Sequence, residues 1–178
     1  MARYVALYGS INVGGNRLTM ADLRAAFEAE GFAKVETVVA SGNVLFEHPE
    51  RPDEGLEEKL TLMMRHRFAM NSAALVRSRD GLAAAIAENP FGADGQENFV
   101  HTMFLDGPVD ADAFAALEAG HDGPERIAAG DRAVHIDYVE SAGRSRLTGA
   151  FIERRLGRKG TARNLRSMRR ILAKMDES

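Results

Sequence analysis

The first half of the chain carries hydrophobic patterning and turn signals in an order that few topologies accommodate. Four short strands are predicted from its apolar runs, at residues 3–8, 35–39, 44–46 and 73–76. Two helices are predicted from apolar residues at helical spacing, at residues 20–31 and 53–68. The resulting order, β-α-β-β-α-β, is that of a ferredoxin-like fold.

Local signals mark where these elements begin and end. Thr19 stands where an N-cap is expected, and Gly31 supplies a stop signal for the first helix. Ser41-Gly42-Asn43 has the residue types of a turn, which predicts a hairpin between the second and third strands. Ser78 is in position to cap a short helix that Pro90 ends.

The second half follows a similar order of elements without a repeat of the sequence itself. Its predicted elements are a strand, a helix, a hairpin and two closing helices, at residues 99–105, 110–120, 126–139, 145–156 and 162–175. Thr161 is the expected N-cap of the last helix. We therefore predict an α+β fold of two ferredoxin-like halves with antiparallel sheets, residues 1–77 and 78–178, with helices at the C-terminus.

Composition removes several classes of function. The chain has no cysteine, which excludes a disulfide framework, a thiolate zinc site, an iron–sulfur cluster and a cysteine nucleophile. Its five histidines include no pair at the i, i+4 spacing of a zinc-binding helix, so we predict no metal. The G-x-G-x-x-G motif of a dinucleotide site is absent, and we predict no cofactor.

The location of the protein is predicted from what its sequence lacks. No stretch approaches about 18 consecutive apolar residues, the length needed for a membrane span. The first eight residues run directly into a predicted strand and have no signal-peptide pattern. We expect a cytoplasmic protein without a membrane partner.

Short motifs spread along nearly the whole chain resemble those of one bacterial family. They are Tyr4-Val5-Ala6-Leu7, Ile11-Asn12-Val13-Gly14-Gly15-Asn16, Met20-Ala21-Asp22-Leu23-Arg24, Ser41-Gly42-Asn43-Val44, Asn89-Pro90-Phe91 and residues 101–105, 143–147 and 161–164. With these motifs in this order, the chain resembles the family called domain of unknown function 1697. The resemblance implies an α+β fold of two ferredoxin-like halves, and it supplies no reaction.

Two positions depart from that family's pattern. The family has Arg-Gly before its Ile-Asn-Val-Gly-Gly segment, where this chain has Gly9 and Ser10. It has Trp after the C-terminal Arg-Asn, where this chain has Leu165. One cationic group and one aromatic surface are therefore missing. If those groups serve a ligand, this chain binds a different ligand or none.

The glycine-rich segment after the first strand has two interpretations. Gly9 and Gly14 have the spacing of the Walker glycines, but Gly15-Asn16 replaces the Lys-Ser/Thr pair that binds phosphate and magnesium. We therefore reject a Walker nucleotidase. The N–H groups of Gly14 and Gly15 suit an anion near the start of a helix. A tight turn that needs glycine explains the same residues without a ligand.

Charge is distributed unevenly along the chain. Residues 144–178 carry 11 basic and 3 acidic side chains, whereas residues 1–143 carry 12 basic and 23 acidic ones. Four cations are predicted to share one face of the last helix, namely Arg163, Arg166, Arg170 and Lys174. The segment is either a surface for an anionic partner, whose phosphates arginine binds well, or it packs on the acidic body.

We combine these signals into one leading hypothesis, a binding module for a small anionic or phosphorylated ligand. The glycine segment and the turn would supply N–H donors, and the arginines would supply positive charge. The predicted ligand-binding residues are Asn12, Gly14, Gly15, Asn16, Ser41, Asn43, Arg144, Ser145, Arg146, Arg163 and Asn164.

Three other functions stay open at this point. Nucleic acid is one alternative partner for the basic C-terminal helices, although Phe151 is the one stacking aromatic among residues 144–178. A small transferase or hydrolase using Ser41 or His101 is another. The third is an oligomerising or structural protein.

Overall fold

A computed structural model describes residues 1–9, 18–39 and 42–177. The chain divides into two compact units. Unit 1 comprises Met1–Leu82 and the chain from Arg170 onward, and unit 2 comprises Ala83–Arg169. These units differ from our predicted halves in where they place the end of the chain. Each unit contains one four-stranded sheet.

Unit 1 follows the β-α-β-β-α-β order that the sequence predicts. Its elements are β1 (Ala2–Tyr8), α1 (Met20–Ala29), β2 (Ala33–Thr37), β3 (Asn43–His48), α2 (Asp53–Phe68) and β4 (Ala74–Ser78). The strands lie in the order β2-β3-β1-β4, and all neighbours are antiparallel. This is the ferredoxin-like topology.

The predicted local signals of unit 1 are confirmed. Thr19 Oγ1 accepts a hydrogen bond from the Asp22 N–H at 3.1 Å, so it caps α1. Gly31 follows α1 with a φ of 91°, a conformation that glycine adopts without strain. Ser78 Oγ accepts from the Gly81 N–H at 3.0 Å and so caps α3 (Arg79–Glu88), the helix that follows β4.

The core of unit 1 lies between its sheet and its two helices. Tyr4 and Phe46 stack on the sheet, with ring centroids 5.6 Å apart, and Phe27 of α1 packs against Phe46. The opposite face of the sheet is also buried and apolar; it carries Val5, Leu7, Leu45 and Leu75. Because both faces are buried, the strands read as continuous apolar runs in the sequence.

Unit 2 repeats the topology of unit 1. Its elements are β5 (Val100–Leu105), α4 (Ala111–Ala119), β6 (Arg126–Gly130), β7 (Ala133–Asp137), α5 (Gly149–Leu156) and β8 (Gly160–Asn164). The strands lie in the order β6-β7-β5-β8, again antiparallel throughout. The last helix, α6 (Leu165–Met175), follows β8 directly. The predicted α+β fold with two ferredoxin-like halves is confirmed.

The two faces of the second sheet differ in chemistry. One face is apolar and packs on α4 and α5 through residues that include Met103, Ile136 and Leu117. On the other face, the strand register places Thr102 directly between His135 of β7 and Arg163 of β8. This second face therefore carries a row of polar groups, and Thr102 and His135 are buried there.

The prediction is wrong for the segment after α5. Residues 160–164 form a strand, whereas we predicted a helix from residue 162, so Arg163 does not share the α6 face with the later arginines. Backbone pairing of β8 with β5 at the centre of the sheet outweighs the local helical pattern. Thr161 therefore lies on β8, and Asn164 takes its expected place as cap: its Oδ1 accepts from the Ser167 N–H at 2.8 Å.

Within the described ranges, no helix has the length and apolar character that a membrane crossing requires.

Candidate functional site

Most of the predicted ligand residues of the first half lie outside the described part of the chain, namely Asn12, Gly14, Gly15, Asn16 and Ser41. Asn43 is described and is buried at the start of β3. Its Nδ2 donates to the carbonyl oxygens of Val38 and Val39, at 3.2 and 2.9 Å. The Asn43 amide therefore ties the start of β3 to the two residues at positions 38 and 39 that follow β2.

Arg144, Ser145 and Arg146 lie together between β7 and α5. Both arginines are exposed, and neither forms an ion pair with any described residue. Ser145 Oγ donates to Glu125 Oε1 at 2.6 Å and accepts from the Leu147 N–H at 3.0 Å. The serine hydroxyl thus tethers this loop, whereas the two guanidinium groups face solvent.

Arg163 and Asn164 lie at the end of β8. Arg163 Nη1 donates to Thr161 Oγ1 and to the Ala162 carbonyl, both at 2.9 Å. Burial lowers the pKa of Arg163 to about 10. The Asn164 side chain caps α6. These residues have structural contacts of their own in unit 2, and a site that combines them with the first-half residues stays a prediction.

A patch of unit 2 contains three titratable groups whose pKa values are shifted, namely His101, Glu125 and Tyr138. We define the His101 patch as His101, His121, Glu125, Tyr138 and Ser145. The imidazole of His101 meets the ring of Tyr138 edge to face, with centroids 4.9 Å apart. Burial lowers the pKa of His101, although its Nδ1 lies 3.1 Å from the Phe99 carbonyl, which acts in the opposite direction. His101 is therefore neutral at pH 7.

Glu125 occupies the centre of the His101 patch. Burial acts to raise the pKa of its carboxyl, but the hydrogen bond from Ser145, the backbone and the nearby His121 outweigh burial and leave that pKa below its usual value. His121 Nε2 lies 3.3 Å from Glu125 Oε2. Burial, together with the charge of Glu125, raises the pKa of Tyr138 to about 12. Such clustering of shifted groups occurs at functional sites and in structural ion-pair networks alike.

A second polar cluster of unit 2 is buried at Asn89, Thr102 and His135, whereas its carboxylate, Glu88, is exposed. His135 Nε2 lies 2.8 Å from Glu88 Oε1, and His135 Nδ1 lies 2.8 Å from Thr102 Oγ1. Asn89 Nδ2 extends the chain of hydrogen bonds to Thr102 Oγ1 at 3.3 Å. The order carboxylate–imidazole–hydroxyl is that of a catalytic triad. Because Thr102 is 0% exposed, a substrate does not reach its hydroxyl, and the cluster serves packing and orientation.

The basic C-terminal segment keeps most of its positive charge free of ion pairs. Arg169 binds Glu97 at 2.9 Å and Lys174 binds Glu177 at 2.9 Å. Among the described residues, seven other cations of the segment are exposed and form no ion pair, namely Arg144, Arg146, Arg154, Arg155, Lys159, Arg166 and Arg170. Ion pairs with acidic groups therefore compensate only a minority of the positive charges in this segment.

Three basic residues of the C-terminal segment, Arg154, Arg158 and Lys159, line a cleft in unit 2. The cleft has a volume of about 550 Å³ and lies where α5 ends and β8 begins, opposite the turn that follows β5. Its lining residues are Asp106, Ala150, Glu153, Arg154, Gly157, Arg158 and Lys159. We call this feature the basic cleft. It was not predicted from the sequence, because Asp106 and Glu153 are distant along the chain and line one cleft only through the pairing of β5 with β8.

Arg158 is held in one orientation at the edge of the basic cleft. Its Nε donates to the Pro108 carbonyl at 3.1 Å. Gly107 leaves room for the guanidinium, because a Cβ at that position would overlap it. Gly157 ends α5 with a φ of 65°, which turns the chain so that Arg158 and Lys159 follow the helix into the cleft. The sequence signal for this arrangement is Gly157 followed by two basic residues.

The described part of the chain contains no group of three or more histidine and acidic side chains placed to hold a metal ion. Histidine and carboxylate groups meet in pairs, as in His121–Glu125 and His135–Glu88. In each pair the imidazole nitrogen and the carboxylate contact one another directly.

Comparison with known proteins agrees with this fold. A solved structure titled as that of the conserved bacterial protein SP0830 from Streptococcus pneumoniae superposes with a TM-score of 0.75, over 99% of each chain and at 22% sequence identity. No curated protein matches the chain. The model of the family described as "Protein of unknown function (DUF1697)" matches residues 1–135, which is more than half of the sequence. The resemblance read from the sequence motifs is therefore confirmed, and the chain belongs to the DUF1697 family.

Proposed function

We propose that this protein binds a small anionic ligand, and that the basic cleft is the binding site. The observation that carries the proposal is the convergence of Arg154, Arg158 and Lys159 on one concave surface. Concave sites with a few fixed polar groups are where small ligands bind in proteins. The ligand class is the one that the sequence suggests, but the site uses other residues.

The charge balance of the cleft favours an anion. The three cations outnumber Asp106 and Glu153, and each carboxylate already accepts a backbone hydrogen bond, from the N–H of Lys159 and of Gly160 respectively, both at 3.2 Å. Arg154 and Lys159 have no ion-pair partner among the described residues, so binding breaks no salt bridge there.

The fixed orientation of Arg158 supports the same conclusion. Its Nε is engaged by Pro108, which leaves the two terminal nitrogens of the fork for a ligand. A planar guanidinium binds phosphate or carboxylate through two parallel hydrogen bonds. Because its position is set before binding, less side-chain entropy is lost when an anion arrives.

Two matched pairs of substitutions test this site. Arg154→Ala combined with Lys159→Ala removes two cations from the cleft, and Arg144→Ala combined with Arg146→Ala removes two exposed cations elsewhere in unit 2. We expect the first pair to weaken binding of inorganic phosphate or pyrophosphate at least about tenfold, a change of about 1.4 kcal/mol, and the second to leave it nearly unchanged. Isothermal titration calorimetry measures both.

Other outcomes redirect or end the proposal. Loss of binding only in the Arg144/Arg146 pair would move the site to the loop that the sequence analysis favours. Absence of binding by any small anion would end the proposal. Tight binding of single-stranded RNA whose affinity falls steeply between about 50 and about 200 mM salt would support the nucleic-acid alternative.

A further inference from the structure

We infer that the ligand of the basic cleft is a phosphorylated polyhydroxy compound, such as a sugar phosphate. The inference rests on the proposed function and narrows it. It depends on the two carboxylates and on the size of the cleft, whereas the proposed function depends on the cations. The two can therefore fail separately.

Each carboxylate of the cleft has one oxygen in use and one available. Asp106 Oδ1 accepts from the Lys159 N–H, and Glu153 Oε2 accepts from the Gly160 N–H. Asp106 Oδ2 and Glu153 Oε1 have no hydrogen bond to a described residue. A carboxylate oxygen is an acceptor only, so its natural partners in a ligand are hydroxyl or amine hydrogens.

An anion that carried no hydrogen-bond donor would offer these two oxygens no hydrogen bond. A ligand that places hydroxyl groups against Asp106 and Glu153 satisfies both oxygens while its phosphate meets the cations. Satisfying polar groups that the ligand desolvates is a condition for tight binding.

The size and lining of the cleft point to the same class. Its volume of about 550 Å³ is that of a site for a whole metabolite, and one phosphate group fills a small part of it. The lining contains no aromatic ring, and the ring of Phe151 is covered by the Arg155 guanidinium at 4.9 Å. A nucleotide base therefore finds no aromatic ring to stack on in the lining, which favours a sugar or polyol phosphate over a nucleotide.

A series of ligands separates the contribution of the phosphate group to binding from that of the hydroxyl groups. The probes are inorganic phosphate, methyl phosphate, glycerol 3-phosphate, ribose 5-phosphate, glucose 6-phosphate and unphosphorylated glucose. We expect at least one of the three polyhydroxy phosphates to bind at least about tenfold tighter than methyl phosphate, and glucose alone to bind far more weakly. Adenosine monophosphate should bind no tighter than ribose 5-phosphate.

Asp106→Asn and Glu153→Gln are the decisive variants. Both keep a carbonyl oxygen for the backbone N–H and remove a negative charge, so the fold and the phosphate affinity are preserved or improved. We expect them to reduce the advantage of the polyhydroxy phosphate over methyl phosphate to less than about threefold. The Arg154/Lys159 pair of alanine substitutions should weaken all phosphates together.

Two results would overturn the inference. If methyl phosphate binds as tightly as every polyhydroxy phosphate, the ligand class is wrong while the anion site stands. The same holds if the advantage survives both carboxylate substitutions. If no phosphate binds at all, the proposed function fails as well.

Discussion

Glu88 Oε1 and His135 Nε2 lie 2.8 Å apart, although Glu88 is the last residue of α3, where the helix dipole disfavours a carboxylate. A carboxylate oxygen accepts only, so the Nε2 of His135 donates in this contact. The Nδ1 of His135 shares a second hydrogen bond with the Thr102 hydroxyl, at 2.8 Å. This chain of contacts, buried at His135 and Thr102, fixes the end of α3 on the second sheet.

Removing the hydroxyl of Thr102 tests that chain of hydrogen bonds. Thr102→Val keeps the shape of the side chain and leaves His135 Nδ1 buried without its hydrogen-bond partner. We expect a loss of about 1 to 3 kcal/mol in the free energy of unfolding, measured with urea, because an unsatisfied buried polar group costs that much. Glu118→Gln, a change at an exposed position, is the control and should have little effect.

A double-mutant cycle checks that the effect of Thr102→Val comes from His135. Thr102→Val combined with His135→Leu makes both partners apolar, so we expect the double variant to lose less stability than the two single variants added together. Strict additivity of the two losses would show that Thr102 and His135 are not coupled.

The lowered pKa of His101 makes stability depend on pH. Because the folded state holds the proton less tightly than the unfolded state, protonation favours unfolding. The contribution of His101 is therefore fully present above pH 6.5, the ordinary histidine value, and is lost as the pH falls towards its folded pKa. We expect urea unfolding between about pH 5 and about pH 8 to show this loss.

His101→Gln isolates that dependence from the other titrating groups. The glutamine does not titrate, so the variant should have a shallower decrease of stability below pH 6.5 than the parent protein. Identical slopes in the two proteins would mean that His101 titrates normally in the fold. A histidine titration followed by NMR gives the pKa directly.

Asn164, one of the predicted ligand residues, caps α6. Asn164→Ala should therefore cost about 1 kcal/mol of stability and increase hydrogen exchange at the Ser167 amide. Asn164→Asp keeps an oxygen acceptor at the N-terminus of a helix and should retain the stability. Equal stability of the alanine and aspartate variants would argue that the cap contributes nothing.

Gly107 gives a way to disturb Arg158 without removing it. In Gly107→Ala the new methyl group meets the far end of a flexible side chain, so Arg158 moves and the backbone does not. We expect a weaker affinity for phosphate, measured by calorimetry, with little change in stability.

Gly160→Ala is the contrasting variant to Gly107→Ala. A Cβ at Gly160 would lie 2.7 Å from the carbonyl oxygen of Phe104, so β8 has to shift against β5. We expect a loss of about 1 to 3 kcal/mol in the free energy of unfolding. A large loss of stability in Gly107→Ala would show that the Arg158 side chain cannot move aside. No loss of stability in Gly160→Ala would show that the backbone at Phe104 is not a rigid neighbour.

The elements of the first unit were predictable because their signals are local. The apolar spacing of residues 53–68 gave α2 with its observed bounds, and Thr19 and Ser78 cap the helices as expected. The order of elements then gave the topology, because few arrangements satisfy it. The bounds of α2 and the caps at Thr19 and Ser78 depend only on residues within one turn or one helix of each other.

The candidate site was less predictable. The basic run at residues 144–178 was visible in the sequence, but its helical periodicity suggested that Arg163 belongs to α6. The contribution of Asp106 to the basic cleft was not visible, since it lies about 50 residues from Arg158 and reaches it through a sheet pairing.

By itself the sequence determined the β-α-β-β-α-β order of the first unit, the caps at Thr19 and Ser78 and the excess of positive charge near the C-terminus. Each of these follows from periodicity, capping chemistry or composition, which act over short distances along the chain. Only the tertiary structure decided that residues 160–164 form β8 and that its pairing with β5 carries Lys159 to Asp106. Strand pairing is a contact between distant segments, and its free energy is not encoded in the preferences of either segment alone.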